Sequence, residues 1–239
     1  MRILILIALV FFLSCSEKEN NKIETEKTSI DSVSNNDSVS DVNSSASIPV
    51  DHNGKIPDTS LVDITNFDDN IIFEMVYSSD KNFFKQKFYD CPKCYLRYEA
   101  ALALYQVILK IKDRGYKLKI FDCFRPFSVQ KKMWEVLPNR AYVADPARGG
   151  SIHNKGGAVD LTLADKEGNE LNMGTEFDHF GPESAHSYSA LDSTCISNRH
   201  YLKSVMEQCG FVALETEWWH YTFKSSHKYT NADLIFKCN

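Results

Sequence analysis

Residues 151–163 read SIHNKGGAVDLTL, a pattern typical of a turn that leads into a buried strand. The two adjacent glycines allow the backbone to turn sharply. The apolar and β-branched residues from 158 to 163 then predict a strand that is buried on both faces. We therefore expect His153 in the loop that enters the strand and Asp160 on the strand itself.

A second block, EWWHYTF at residues 217–223, adds another imidazole and a spare carboxylate. His153, Asp160 and His220 supply two imidazoles and one carboxylate, which with an open position for water is the ligand count of a catalytic zinc. Glu217 is suited to take a proton during attack by water and to pass it to a departing amine. The simplest interpretation is a metallopeptidase.

The spacing within the second block has a structural consequence. Residues three apart on a regular strand point to opposite faces of the sheet. Glu217 and His220 therefore serve one site only if Glu217 precedes the strand or lies at a β-bulge. We expect residues 220–223 inside the strand.

Spacing alone does not separate a zinc site from ordinary structural residues. An isolated histidine or aspartate in a protein interior is usually a hydrogen-bonded structural group. The helical zinc motif H-E-x-x-H is absent from the chain. The residues around the two blocks are therefore needed to decide between the two interpretations.

The elements around these blocks predict the fold class. Apolar residues recur at helical spacing over residues 96–114, and Gly115 ends the pattern. Similar patterns predict a strand over 116–121, helices over 128–134 and 199–209, and a strand over 211–214. The result is a small antiparallel sheet flanked by helices, which is the α+β class.

The motifs S-x-H-x-x-G-x-A-x-D and E-W-W-H-Y resemble those of the zinc D-alanyl-D-alanine dipeptidases. These are the VanX-type branch of the M15 peptidase family, which also contains the D,D-carboxypeptidases of cell-wall metabolism. The resemblance covers residues 61–230, and further blocks agree in order along the chain: YSSDKNF at 77–83, FRP at 124–126, MGTEFD at 173–178 and NR at 198–199.

The resemblance implies a hedgehog/D,D-peptidase-like zinc peptidase domain. In such a domain one Zn²⁺ ion is bound by His153, Asp160 and His220, and Glu217 is the general base and acid. The implied reaction is hydrolysis of D-alanyl-D-alanine, a small dipeptide, to two D-alanines.

Four further site residues follow from the same resemblance. Arg125 matches the residue that stabilises the oxyanion, although most arginines form surface ion pairs. Asp178 matches the residue that receives the free ammonium group of the substrate, which would make longer peptides bury an unpaired charge. Ser151 and Tyr77 match residues that line this pocket, but a serine near a turn and a tyrosine in a strand are mostly structural.

The chain departs from the family pattern beside the oxyanion arginine. The usual Asp-Gly-Tyr-Arg-Pro stands here as DCFRP at residues 122–126, which lacks the glycine and the phenolic hydroxyl. We expect the details of the pocket to differ here, and the zinc chemistry to be unchanged.

Three functions are open at this point. The first is the free-dipeptide hydrolase, and the second is a D,D-carboxypeptidase that trims peptidoglycan stem peptides with the same metal motif. The third is a catalytically silent module that binds the cell envelope. The intact metal ligands, base and arginine argue against the third function, because a domain that has lost its catalytic activity usually lacks at least one of these residues.

The N-terminus predicts export and lipid anchoring. Ile3 to Leu13 form an apolar segment of 11 residues, shorter than the roughly 20 of a membrane span. The segment ends in FLSC, which resembles a lipobox with Cys15 as the acylated residue. The alternative is an ordinary secretory signal with a chance cysteine. We expect a signal peptide at 1–14 and a lipid-anchored protein at the cell envelope.

Composition divides the rest of the chain into two parts. Residues 15–60 are rich in Ser, Asn, Asp, Glu and Lys, so they cannot bury enough surface to offset the entropy of ordering and predict a flexible tether. Residues 61–239 have the length of one domain. The net charge is -5, or -6 once Arg2 is removed with residues 1–14. We expect no nucleic-acid partner, and the oligomeric state stays open.

Six cysteines remain apart from Cys15. An even number in an exported chain favours disulfides, but six cysteines allow 15 connectivities. The C-P-K-C segment at 91–94 is consistent with a local disulfide, a redox pair or half of a zinc site. A second C-x-x-C is absent. A structural disulfide is therefore the preferred interpretation.

Overall fold

The computed structural model describes residues 55–236 and residue 238. The predicted signal peptide, Cys15 and the predicted tether as far as residue 54 lie outside the described residues. The carbonyls of Asp58 and Ser60 accept hydrogen bonds from the amides of Glu99 and Tyr98. Contacts of the domain therefore begin slightly before position 61.

Seven strands and three α-helices lie in the described part of the chain. The strands are β1 (Leu61–Asp63), β2 (Ile71–Phe73), β3 (Tyr95–Arg97), β4 (Lys117–Asp122), β5 (Ala158–Ala164), β6 (Phe211–Leu214) and β7 (Glu217–Phe223). The helices are α1 (Tyr98–Lys112), α2 (Phe127–Val136) and α3 (Ser193–Gln208).

Five strands form the main sheet in the order β2-β4-β5-β7-β6. Strand β5 is antiparallel to both β4 and β7, and β7 is antiparallel to β6. The predicted small antiparallel sheet is present, and at one edge β2 adds to it by pairing parallel to β4. The chain passes through β3 and α1 between these two strands, and a crossover of this length permits parallel pairing. The α+β class is confirmed.

Strand β5 is the centre of the fold, and all seven of its residues are buried. Helix α1 packs the buried side chains of Leu104, Ile108 and Ile111 into the core. The predicted start of this helix at 96 is wrong by two residues. Residues 95–97 instead form β3, which pairs with β1 and buries Leu96 completely.

Helix α3 begins six residues before its predicted start at 199. The side chain of Asp192 caps it by accepting hydrogen bonds from the amides of Thr194 and Cys195. Such a cap satisfies amides of the first turn that have no partner within the helix. The polar residues of this turn carry no apolar periodicity, so the pattern identified only the later part of the helix.

Two disulfides are present among the described residues, Cys91–Cys238 and Cys94–Cys123, while Cys195 and Cys209 are free. The structural-disulfide interpretation is confirmed, but the local pairing of Cys91 with Cys94 is wrong. The amide of Phe124 donates to the carbonyl of Tyr95 over 3.0 Å, which joins the end of β4 to β3. This contact places Cys123 beside Cys94.

No helix in the described range combines the length and the apolar character that crossing a bilayer requires.

Candidate metal centre and active site

A short 3₁₀ turn, residues Ile152–Lys155, presents His153. The Ser151 hydroxyl accepts from the amide of His153, and the Asn154 side chain accepts from the amide of Ser151, so both ends of the turn are fixed. Gly156 ends the turn with a φ of 71°, and a Cβ there would meet the side chain of Leu61 at 2.5 Å. The expected sharp turn before the buried strand is therefore present.

The register of β5 and β7 brings Asp160 and His220 together. These residues are directly paired across the two antiparallel strands. His220 Nδ1 lies 2.9 Å from Asp160 Oδ1, and His153 Nε2 lies 3.3 Å from Asp160 Oδ2 and 3.2 Å from His220 Nδ1. One donor atom from each of the three residues lies within 4.8 Å of the others.

Whether the cluster fits a metal depends on which nitrogen of each imidazole carries the proton. In both imidazoles the nitrogen that faces away from the cluster has a hydrogen-bond partner. His153 Nδ1 donates to the carbonyl of Cys123 over 2.7 Å. His220 Nε2 lies 3.1 Å from the Thr222 hydroxyl, which can accept its proton. A proton on each outward nitrogen leaves a lone pair on each inward nitrogen, as in metal sites whose histidine ligands are oriented by hydrogen bonds to neighbouring residues.

The carboxyl group of Asp160 is ionised in this setting. Burial raises its pKa, but the charges of protonated His153 and His220 and the hydrogen bonds they then donate lower it by more, so the net pKa is below the ordinary value. A metal ion would take the place of these inward protons. Two neutral imidazole nitrogens and one carboxylate oxygen form a donor set that fits zinc.

Glu217 lies beside this cluster at the first residue of β7. Its partner across the sheet is Leu214, and the register shifts between Ala213 and Leu214. The irregular register agrees with the expected bulge and lets Glu217 share a site with His220. Burial raises the pKa of Glu217, while the charge of His220 lowers it and that of Asp160 raises it. A carboxylate with a raised pKa is a stronger base.

Arg125 is buried beside the same cluster. Its Nε donates to Asp122 Oδ2 over 3.0 Å, its Nη2 donates to the same oxygen, and its Nη1 donates to Gln130 Oε1 over 3.0 Å. Burial would lower the pKa of Arg125, but the charge and hydrogen bond of Asp122, together with the charges of Tyr77 and Asp160, outweigh this, so the pKa is raised. The guanidinium is charged and rigidly held, with N–H groups still free to donate.

Tyr77 connects Arg125 to Asp178. The ring of Tyr77 lies under the guanidinium, with 4.8 Å between its centroid and Arg125 Cζ, and its hydroxyl donates to Asp178 Oδ2 over 2.9 Å. No ion pair to Asp178 exists among the described residues, and burial raises its pKa well above the ordinary value. A sheltered carboxyl group without a cation is suited to receive one.

The family model described as D-ala-D-ala dipeptidase, of the M15 peptidases, matches residues 57–237. The chain belongs to this family. It is similar to the D-alanyl-D-alanine dipeptidase of Escherichia coli (strain K12), with 32% identity over 180 residues that cover 75% of this chain and 93% of that protein. The resemblance drawn from the motifs is confirmed.

Two further relatives overlap in part. A D-alanyl-D-alanine dipeptidase of Streptomyces coelicolor is 42% identical over 124 residues, which cover 46% of this chain and 59% of that protein. A solved vancomycin-resistance D,D-dipeptidase in complex with a D-Ala-D-Ala phosphinate analog matches with a TM-score of 0.36 and 21% identity, over 56% of this chain and 52% of that one. The family assignment does not depend on this structural overlap.

The structure gives Ser151 a local role in this family member, because its hydroxyl caps the turn that carries His153. Sequence reasoning also missed three supporting residues: Asp122 and Gln130, which hold Arg125, and Thr222, which faces His220. Asp122 lay within the DCFRP block already singled out. Thr222 was recognisable as the residue two positions after His220, on the same face of a strand.

We predict that Thr222→Val weakens zinc binding about tenfold, because it removes the hydroxyl beside His220 Nε2. Thr162→Val is the matched control. Thr162 lies on the neighbouring strand, and its buried hydroxyl has no hydrogen-bond partner among residues 55–236 and 238. Calorimetric titration of the metal-free proteins with zinc measures both affinities. Equal affinities in the two variants would contradict a supporting role for Thr222.

Proposed function

We propose that this chain is a zinc-dependent dipeptidase that hydrolyses D-alanyl-D-alanine to two D-alanines. Family membership and the names of the relatives support the substrate. The observation that carries the proposal is the cluster of His153, Asp160 and His220, whose donor atoms lie within 4.8 Å of one another. These three residues would hold the ion, which would polarise the scissile carbonyl and acidify a water molecule.

Glu217 is the proton carrier in this proposal. Its carboxylate takes a proton from the attacking water and later gives it to the amine that leaves. The raised pKa of Glu217 suits both steps, because a carboxyl group with a pKa closer to neutrality exchanges a proton more readily at neutral pH.

Arg125 stabilises the negative charge that develops on the carbonyl oxygen. Its guanidinium is fixed by Asp122 and Gln130 before substrate arrives, so no reorganisation is needed during the reaction. The contact is charge-assisted, and the removal of such a donor costs about 10²- to 10³-fold in turnover.

Asp178 restricts the substrate to a dipeptide with a free amine. The carboxylate receives the ammonium group, while the Tyr77 hydroxyl holds one carboxylate oxygen in place. A longer peptide would leave Asp178 without its cation and place an amide there instead. Ser151, at the start of the turn that carries His153, is proposed to line the same pocket.

We predict that Glu217→Ala retains zinc and loses about 10²- to 10⁴-fold in turnover, because only the proton carrier is removed. Glu215→Ala is the control, since Glu215 is an exposed carboxylate close to Glu217 in the chain. Zinc content by atomic emission and the rate of amine release from D-alanyl-D-alanine give the two readouts. Turnover in Glu217→Ala at the wild-type level would rule out this mechanism.

We predict that the domain from residue 55 cleaves free D-alanyl-D-alanine, that a chelator abolishes this activity, and that the N-acetylated dipeptide is a poor substrate. Asp178→Asn should raise KM for the free dipeptide at least tenfold, because the ammonium loses its counter-charge. Glu176→Gln makes the same change at an exposed position two residues away. Cleavage of only the acetylated compound would indicate a carboxypeptidase, and cleavage of neither would favour the binding module.

We also propose that the protein acts at the cell envelope, anchored by a lipid on Cys15. The apolar segment and the FLSC sequence that ends at Cys15 support export and acylation. The two disulfides of the domain agree with an oxidising compartment.

We predict that the full chain incorporates labelled palmitate when it is expressed in bacteria and that Cys15→Ser abolishes the label. Cys195→Ser is the control, because Cys195 is a free thiol within the domain. Label in the Cys15→Ser protein, or none in the wild type, would leave an ordinary secretory signal as the explanation.

A further inference from the structure

Residues 173–185 form the loop that carries Asp178, and we name it the Asp178 loop. Its backbone takes left-handed conformations at Gly174, with a φ of 86°, and at Asp178, with a φ of 60°. Asp178 is one of only two non-glycine residues with positive φ in the described part of the chain. Aspartate adopts this conformation more readily than most non-glycine residues, but the conformation still costs free energy that contacts of the loop have to offset.

Arg199 of helix α3 binds both ends of the Asp178 loop. Its Nε donates to the carbonyl of Met173 over 2.6 Å. Its Nη1 donates to the carbonyls of Glu183 and Ala185 over 2.9 and 3.0 Å. One planar guanidinium thus holds together the first residue and the last residues of the loop.

Burial of the charged Arg199 guanidinium costs free energy of folding. The side chain is 3% exposed, and no carboxylate forms an ion pair with it among the residues described here. Burial accordingly lowers the pKa of Arg199. A buried charge without a counter-charge is destabilising, whereas an apolar side chain of similar length would pack there without that cost. The hydrogen bonds that Arg199 donates all go to the Asp178 loop.

Trp218 holds the middle of the same loop through a directed chain of hydrogen bonds. Its Nε1 donates to Thr175 Oγ1 over 2.8 Å, which leaves the threonine proton for Ser184 Oγ at 3.3 Å. Ser184 Oγ donates in turn to the carbonyl of His179 over 2.6 Å. The chain ends at the residue that follows Asp178. Trp218 also follows Glu217 directly, so the Asp178 loop is tied to the strand that carries the proposed base.

We propose that Arg199 and Trp218 form a clamp that positions Asp178 for the ammonium group of the substrate. Arg199 is a positioning residue, since it reaches the substrate only through the backbone of the loop. The clamp therefore sets the preference for a free amine over a blocked one. This inference rests on the proposed dipeptidase function, in which Asp178 receives the ammonium.

The test compares Arg199→Met with Arg114→Met. Arg114 is an exposed arginine whose guanidinium lies over Tyr201, so this control removes the same charge without touching the loop. We expect Arg199→Met to raise KM for D-alanyl-D-alanine about tenfold with kcat within about twofold of the wild type. The inhibition constant of N-acetyl-D-alanyl-D-alanine should be unchanged, because that compound has no ammonium. Arg114→Met should match the wild type in all three constants.

Trp218→Phe provides a second variant in case Arg199→Met does not fold. It keeps an aromatic ring in the core, removes the Nε1–H group that donates to Thr175 Oγ1, and makes the buried side chain smaller. We expect KM for the free dipeptide to rise a few-fold, again with an unchanged inhibition constant for the acetylated compound. A loss of kcat with unchanged KM in both variants would indicate a general structural role and overturn the clamp.

Hydrogen–deuterium exchange separates the clamp from the proposed function, because it requires no catalysis. We expect amides of residues 173–185 to exchange at least tenfold faster in Arg199→Met than in the wild type and in Arg114→Met. Unchanged exchange together with unchanged KM would overturn the proposal. Faster exchange in a protein whose wild type does not cleave the free dipeptide would support the clamp and reject the dipeptidase function.

Discussion

The antiparallel pairing of β5 with β7 is the constraint on which the site depends. It sets Asp160 opposite His220, and His153 reaches them from the turn that begins β5. A slip by one residue would turn every side chain of one strand to the other face. Because all of β5 is buried, the burial of its residues alone does not fix this register. The glycine turn before β5 and the irregular pairing of β6 with β7 supply the missing constraint.

Charge is the second organising feature of the site. Asp122 and Arg125 neutralise each other in the interior, and Asp160 faces two imidazoles with which it would share the charge of a bound metal ion. Asp178 differs because, within the part of the chain that the structure describes, it is paired with a tyrosine hydroxyl and with no cation. A protein that leaves one sheltered carboxylate without a counter-charge provides a site for a cationic ligand. In the proposed reaction, the substrate is selected because its ammonium group supplies the counter-charge that Asp178 lacks.

Two parts of the site, His153 and the Asp178 loop, are held through backbone carbonyls. The carbonyl of Cys123 orients His153, and the Cys94–Cys123 disulfide ties that segment to the start of β3. The carbonyls of the Asp178 loop receive the guanidinium of Arg199 in the same manner. A carbonyl contributes the same acceptor whatever the residue type, so sequence gives little sign of such supports. This explains why Arg199 carried no assigned role before the fold was known.

Local sequence patterns were sufficient to predict the fold class and many of the helices and strands. The glycine turn, the buried strand after it and the α+β class follow from residue type and spacing, because period and turn chemistry act over a few residues. The three metal-binding candidates needed the wider resemblance of the motifs as well. The parallel pairing of β2, the partners of Cys91 and Cys94, and the support of Asp178 by Arg199 were decided only by the tertiary structure. Each of these joins residues separated by more than 20 positions, and no short-range propensity encodes which distant partner a strand, thiol or guanidinium meets when the chain packs.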